Sequence, residues 1–182
     1  MYKRQALKGQ GVLVDALAAL DTNTPWACWI IGGPQSAREK RHYRQLGKRI
    51  GRHGLEDRVY LLGNRTDVPH LLACGDLYCQ PNLRGEWFGI SFVEALRAGL
   101  PVLTSGTGGA LEIVDETCGL LLPPGDVSAL THALKIVLED ESEYLRLRSG
   151  CRDRARLLCD PPGRMAELRS ALSRFEGGGA RF

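Results

Sequence analysis

Glu86 and Glu94 stand eight positions apart in the segment GEWFGISFVEALRAGLPV, which runs from Gly85 to Val102. Between them a loop containing Gly89 gives way to a helix-forming apolar stretch. Such a loop offers backbone N–H groups and the positive end of a helix dipole to an anion, and a glycine lets the ligand come close to the main chain. Carboxylates repel a bare phosphate, so the two glutamates are better suited to accepting hydrogen bonds from sugar or ribose hydroxyls. The combination fits a sugar joined to a nucleoside diphosphate. As a spacing alone, it equally describes one surface acid followed by another on a helix face.

Other chemistry-bearing residues are less telling. Gly106, Gly108 and Gly109 form a second glycine-rich loop before Glu112, which a plain strand-to-helix turn would also explain. No Gly-x4-Gly-Lys-Ser/Thr phosphate loop and no Asp-x-Asp pair is present, so no metal site is expected. His42, His53, His70 and His132 fit no site and read as surface or partly buried residues. Cys28, Cys74, Cys79, Cys118, Cys151 and Cys159 fall mostly in apolar runs without zinc-ligand spacing, and read as small buried hydrophobes in a reducing compartment.

The elements that must position these residues alternate between helical and strand patterns, which predicts βα units on a parallel sheet. Val12, Leu13, Ala16, Leu17 and Leu20 recur at helical spacing, and Trp26 to Ile31 is a short apolar strand ending at Gly32-Gly33-Pro34. Ser36 to His53 predicts an exposed amphipathic helix with Tyr43, Leu46 and Ile50 on its inner face. Val59 to Leu62, Leu77 to Gln80, Val102 to Thr104 and Leu120 to Leu122 read as further strands. Asp67 and Asp126 stand where helix caps are expected. The stretch from Gly89 to Ala98 reads as a helix closed by Gly99, and the remainder to about Arg174 as helix broken near Pro161-Pro162-Gly163.

One domain over 1–175 and a flexible tail over 176–182 are expected. The chain opens almost directly on a helix, and only Met1 to Arg4 offers a stub of the buried strand that normally begins a doubly wound sheet. The formal charge is +3, with 24 basic and 21 acidic residues interspersed, which argues against a nucleic-acid partner. The Arg-rich stretch Arg146 to Arg156 reads as a solvated helix face, with an anionic membrane surface or nucleic acid as its other use. No charged segment followed by an apolar stretch marks a leader, so a cytoplasmic protein is expected.

The Glu86-x7-Glu94 segment resembles the signature of GT-B glycosyltransferases, most closely their family 4. KGQGVLVDALAAL resembles the Lys-Gly segment that opens the family's C-terminal domain, and RVYLLGNRTDVPHLLACGDLYCQP its strand, helix and strand before the signature. GLPVLTSGTGGALEIV and GLLLPPGDVSALTHAL resemble its continuation, so the likeness runs in order from Lys8 to about Asp140.

This resemblance implies a Rossmann-like α/β domain, the donor-binding C-terminal half of a retaining, metal-independent hexosyltransferase that uses a nucleoside-diphosphate sugar as substrate and no cofactor. It places Glu86 at the donor sugar near the transferring centre, and Glu94 at the ribose hydroxyls. It sets the backbone amides of Phe88, Gly89 and Ile90 at the sugar hydroxyls or diphosphate. Lys8, otherwise a solvated lysine at a helix start, neutralises the departing diphosphate. Arg4 would be its partner, although only three residues separate the two, fewer than the family pattern has. Trp87 replaces the family's small residue or proline, where it either shapes the sugar pocket or packs the loop. An acceptor domain, in cis or in trans, is the implied partner, and any peripheral membrane contact would pass through it. Two other readings remain at this stage: a non-catalytic nucleotide-sugar-binding module or split-enzyme subunit, and a sugar-nucleotide epimerase, for which no convincing acid and base residues are found.

Overall fold

A computed structural model describes residues 5–85 and 88–176. A 3₁₀ turn over Gln5–Lys8 leads into α1 (Gln10–Ala18), β1 (Cys28–Ile31), α2 (Ala37–Arg52), β2 (Val59–Gly63), α3 (Val68–Ala73) and β3 (Tyr78–Gln80). The second half contains α4 (Ile90–Ala98), β4 (Val102–Ser105), α5 (Ala110–Ile113), β5 (Gly119–Leu122), α6 (Val127–Glu139), α7 (Glu141–Leu158) and α8 (Pro161–Glu176). All strand pairings are parallel, as the alternation of patterns requires. Among the described residues the strands form two sheets, β1–β2 and β3–β4–β5, rather than one.

The core has two layers because β4 is buried on both faces. Strand side chains alternate, so Leu103 joins a cluster with Leu13, Leu17, Ile50 and Leu134, whereas Val102 joins Phe92, Leu96, Ile113 and Cys151 on the other side. Helices α1, α2 and α6 thus cover one face, while α4, α5 and part of α7 cover the other.

Local signals explain most helix starts. Ser36 Oγ accepts from the Glu39 N–H while Glu39 Oε2 accepts from the Ser36 N–H, a reciprocal cap on α2. Asp126 Oδ1 accepts from the Ala129 N–H at 2.9 Å. Asp67 does not cap α3 as expected: both of its oxygens face the Arg65 fork, at 2.8 and 2.6 Å. Hydrogen bonding to Arg65 lowers the Asp67 pKa to about 2. Pro69 also removes one of the N–H groups that a cap would satisfy.

The expected helix break near Pro161-Pro162-Gly163 is present: it falls at Cys159 and Asp160, and Pro161 and Pro162 open α8, where an absent N–H costs nothing. One further expectation needs correction. Cys74 and Cys159 are exposed rather than buried, since each follows the last turn of its helix.

The Arg146–Arg156 stretch is only partly a solvated face. Arg146 donates to the Glu116 carbonyl at 2.7 Å, and Arg154 donates to the Ile113 and Glu112 carbonyls at 3.0 and 2.6 Å while pairing with Asp115 at 3.2 Å. These contacts tie α7 to the end of α5. Losing the half-buried Arg154 fork should cost about 2 to 3 kcal/mol, because its carbonyl partners lose charge-assisted bonds. Arg156, whose side chain is 77% exposed, pairs among the described residues with the similarly open Asp153 and should contribute little. Urea unfolding of Arg154→Ala and Arg156→Ala should therefore give a clearly lowered midpoint for the first and a nearly unchanged one for the second.

Candidate functional site

Three loops meet at the carboxyl ends of β3 and β4, the edge where open α/β sheets hold their ligands. The first is the turn that carries Lys8. Gly9 follows it with φ 72°, and a Cβ there would lie 1.8 Å from the Pro81 carbonyl oxygen. The Leu83 N–H donates to the Leu7 carbonyl at 2.9 Å. Lys8, half-buried, is thereby held beside the exit of β3.

The second loop takes in Pro81 to Gly85 and Phe88 to Gly89. Gly89 caps α4 with φ 62°, and a Cβ on it would meet Ile113 Cδ1 at 2.6 Å and Phe92 Cδ2 at 2.7 Å. Only glycine allows the chain to turn into α4 while packed on those two side chains. The first bond of α4 runs from the Phe92 N–H to the Gly89 carbonyl at 2.9 Å. The N–H groups of Ile90 and Ser91 precede it and lie at the positive end of the helix.

Phe88 and Ile90 are 72% and 65% exposed at this end. Glu94, also exposed, lies one turn further on the same side as Ile90. The structure thus brings Phe88, Gly89, Ile90 and Glu94 onto one helix end, with Lys8 across the exit of β3. Arg4, Glu86 and Trp87 lie outside the described residues.

The third loop, Gly106 to Gly109, follows β4. A Cβ on Gly85 would sit 3.6 Å from the Gly108 backbone, so the second and third loops touch through their main chains. Thr104 Oγ1 donates to the Gln80 carbonyl at 2.8 Å and locks the ends of β3 and β4 together.

Sequence reasoning missed three polar groups here. Asn82 Nδ2, Ser105 Oγ and Thr107 Oγ1 are buried without a partner among the described residues. Each such group costs on the order of 1 to 3 kcal/mol, which places unspent hydrogen-bonding capacity at this edge. The run Thr104-Ser105-Gly106-Thr107, polar directly after an apolar strand, is the signal that could have found two of them. Two cavities, of about 320 and 470 Å³, lie elsewhere, on α2 near His42 and Arg52 and on α6 near Val127 and Lys135.

The family profile for glycosyl transferases group 1 matches residues 2–156. The chain belongs to this family. A lipopolysaccharide core biosynthesis mannosyltransferase of Rhizobium meliloti is 31% identical over 140 residues, covering 73% of this chain and 38% of the relative. A phosphatidyl-myo-inositol mannosyltransferase of Mycobacterium leprae is 34% identical over 138 residues, covering 74% and 34%.

Among solved structures, Anabaena HepE in complex with UDP and glucose superposes with a TM-score of 0.81 at 31% identity, covering 91% of this chain and 46% of HepE. Sucrose-phosphate synthase from Thermosynechococcus elongatus gives 0.79 at 25% identity, covering 96% and 44%. The fold of this group 1 chain is that of the GT-B glycosyltransferases, as its motifs implied. The chain spans 38% and 34% of the length of the two mannosyltransferases and under half of each structure.

Proposed function

We propose that the chain is the donor-binding half of a retaining, metal-independent glycosyltransferase. The observation that carries this reading is the convergence of the Lys8 turn, the amino end of α4 and the glycine loop on one sheet edge. There the Lys8 ammonium and the α4 dipole share the charge of a diphosphate, and the amides of Phe88, Gly89 and Ile90 donate to its oxygens or to sugar hydroxyls. Glu94 accepts from the ribose and Glu86 from the donor sugar, with Arg4 beside the diphosphate.

In transfer, the bond from the anomeric carbon to the diphosphate breaks, and the diphosphate keeps the electron pair. The acceptor hydroxyl oxygen bonds to the same face of the sugar and gives up its proton to an oxygen of the departing diphosphate. Stabilising the departing charge is the largest service the site can render, which is the role given to Lys8. An acceptor domain completes the cleft, in cis or in trans, within the cytoplasm. UDP and glucose in the HepE complex support a nucleoside-diphosphate hexose as donor. The transferases among the relatives favour group transfer over an epimerase.

Titration calorimetry with UDP in excess chelator tests this assignment. Binding should persist without metal, and Lys8→Ala should weaken it roughly tenfold to a hundredfold, the loss of about 1.5 to 3 kcal/mol from a charge-assisted bond. Loss of all binding on adding chelator would sink the metal-independent reading.

The two carboxylates should separate in a second titration. Glu94→Ala is expected to weaken UDP and UDP-glucose alike, whereas Glu86→Ala should weaken the nucleotide-sugar and leave free UDP nearly unchanged. Equal losses for both ligands in both variants would show the assignment to be wrong.

A further inference from the structure

We propose that the groove between α1 and α2 is a binding site for a phosphate group carrying two negative charges, separate from the loop edge. The first observation is where the positive charge sits. Helix α2 holds seven Lys or Arg residues against Glu39 alone, while the whole chain is only +3. Lys40, Arg44, Lys48 and Arg52 follow one another at four-residue spacing, where a helix gains from opposite charges and loses from like ones. Three repelling pairs in succession do nothing for the fold, since the inner face of α2 is anchored by Leu46 and Ile50. A bound anion would relieve that repulsion.

The second observation is the cavity of about 320 Å³ on the side of α2 that faces α1, lined by Gly11, His42, Gln45, Lys48, Arg49 and Arg52. No carboxylate is among the described residues that line it. Gly11, inside α1, lets the Arg49 guanidinium lie against the main chain of that helix, because a Cβ there would collide with it.

The charges around the cavity define its ligand. Asp15, outside the lining, answers Arg49 at 2.9 Å and His53 at 3.2 Å. Lys48 and Arg52 form no ion pair with any described residue, which leaves two positive charges unmatched. A phosphomonoester carries about −1.5 to −2 near neutral pH and matches them, whereas a carboxylate or a phosphodiester supplies one charge. The planar fork of an arginine suits two phosphate oxygens and a lysine ammonium a third, so Arg52 and Lys48 fit the group together. Gln45 adds amide N–H donors. His42 is half-buried with Nε2 3.2 Å from Gln10 Oε1, and burial and then Arg49 lower its pKa. An anion in the cavity would offset the effect of Arg49 and allow the ring to donate as well.

Pyrophosphate titrated into the full chain tests the site, with the NMR signals of the His42 ring and the Gln45 side-chain amide as the readout. Both signals should move saturably, and the His42 pKa should rise. Lys48→Ala and Arg52→Ala should each weaken binding about tenfold, the loss of one charge-assisted hydrogen bond. Gly11→Ala improves helix propensity but displaces Arg49, so it should weaken binding without lowering the urea midpoint. Sedimentation with phosphatidylcholine vesicles containing phosphatidic acid or phosphatidylglycerol separates the sources of the phosphate. Capture by phosphatidic acid alone, abolished in Arg52→Ala, would assign a lipid headgroup, and pyrophosphate binding without capture would assign a soluble phosphate; either supports the site. Equal capture by phosphatidylglycerol, whose phosphate carries one charge, would overturn the proposal. So would His42 and Gln45 signals that pyrophosphate leaves unmoved, or that it moves with equal affinity in the Lys48 and Arg52 variants.

Discussion

Supplied with a nucleoside-diphosphate sugar and an acceptor, this chain by itself is expected to transfer sugar at least about a hundred-thousandfold more slowly than when joined to an acceptor-holding domain. Holding two reactants in line contributes roughly 7 to 11 kcal/mol to lowering the barrier. In the proposed reading the site holds the donor alone, at an edge where Phe88 and Ile90 stand largely exposed. Such apolar side chains at the rim of a binding edge are surface that a covering domain would bury. The measurement is release of nucleoside diphosphate, with sugar incorporated into acceptor, for the chain alone and for a chimera bearing the acceptor-holding half of a group 1 relative. Robust multiple turnover by the chain alone would overturn the half-enzyme reading.

Gly9→Ala should be among the most damaging small substitutions. The new methyl would stand 1.8 Å from the Pro81 oxygen, so the backbone of the Lys8 turn or that of the β3 exit must move. Left-handed backbone at a non-glycine residue costs about 1 to 2 kcal/mol by itself. The collision should raise the loss to about 4 kcal/mol, in the range reserved for strain and overpacking. Gly54→Ala is the control, because Gly54 is also left-handed, with φ 64°, yet a Cβ there meets nothing within 4 Å. Urea midpoints should fall far more for Gly9→Ala than for Gly54→Ala. UDP affinity should fall only for the former, which displaces Lys8. Equal losses in stability would mean that backbone conformation, not the Pro81 contact, sets the cost.

The elements that could be read from sequence are those whose cause is local. The Ser36 cap needs only Glu39 three residues on, and the strand Val102–Ser105 needs only an apolar run between Pro101 and a glycine. The amino end of α4 was legible for the same reason, since Gly89 stands beside its own helix, whereas Lys8 was singled out only through the family resemblance. What escaped depends on partners met through folding. Asp67 was read as a cap because the competing fork of Arg65 is a matter of side-chain geometry. Arg154 was read as solvated because its carbonyl partners lie about forty residues away. Asn82 and Ser105 could not be recognised as buried donors until β3 and β4 were set side by side. The split into two half-sheets was equally hidden, since strand patterns do not say which strands become neighbours.

The grip of α7 on α5 bears on how a ligand would be received. Helix α5 has four residues, too few to hold its shape in isolation, yet Arg146 and Arg154 fasten the backbone on its far side at Glu112, Ile113 and Glu116. On the near side, the Thr104 hydroxyl fastens the end of β4 to β3. Gly106 to Gly109 therefore spans two fixed posts. Ordering a free residue costs roughly 1 to 2 kcal/mol, and a span this short, already tethered at both ends, has little such freedom left to surrender. A diphosphate arriving at this edge would meet a surface whose main chain is largely set before contact, so more of its interaction energy would appear as affinity.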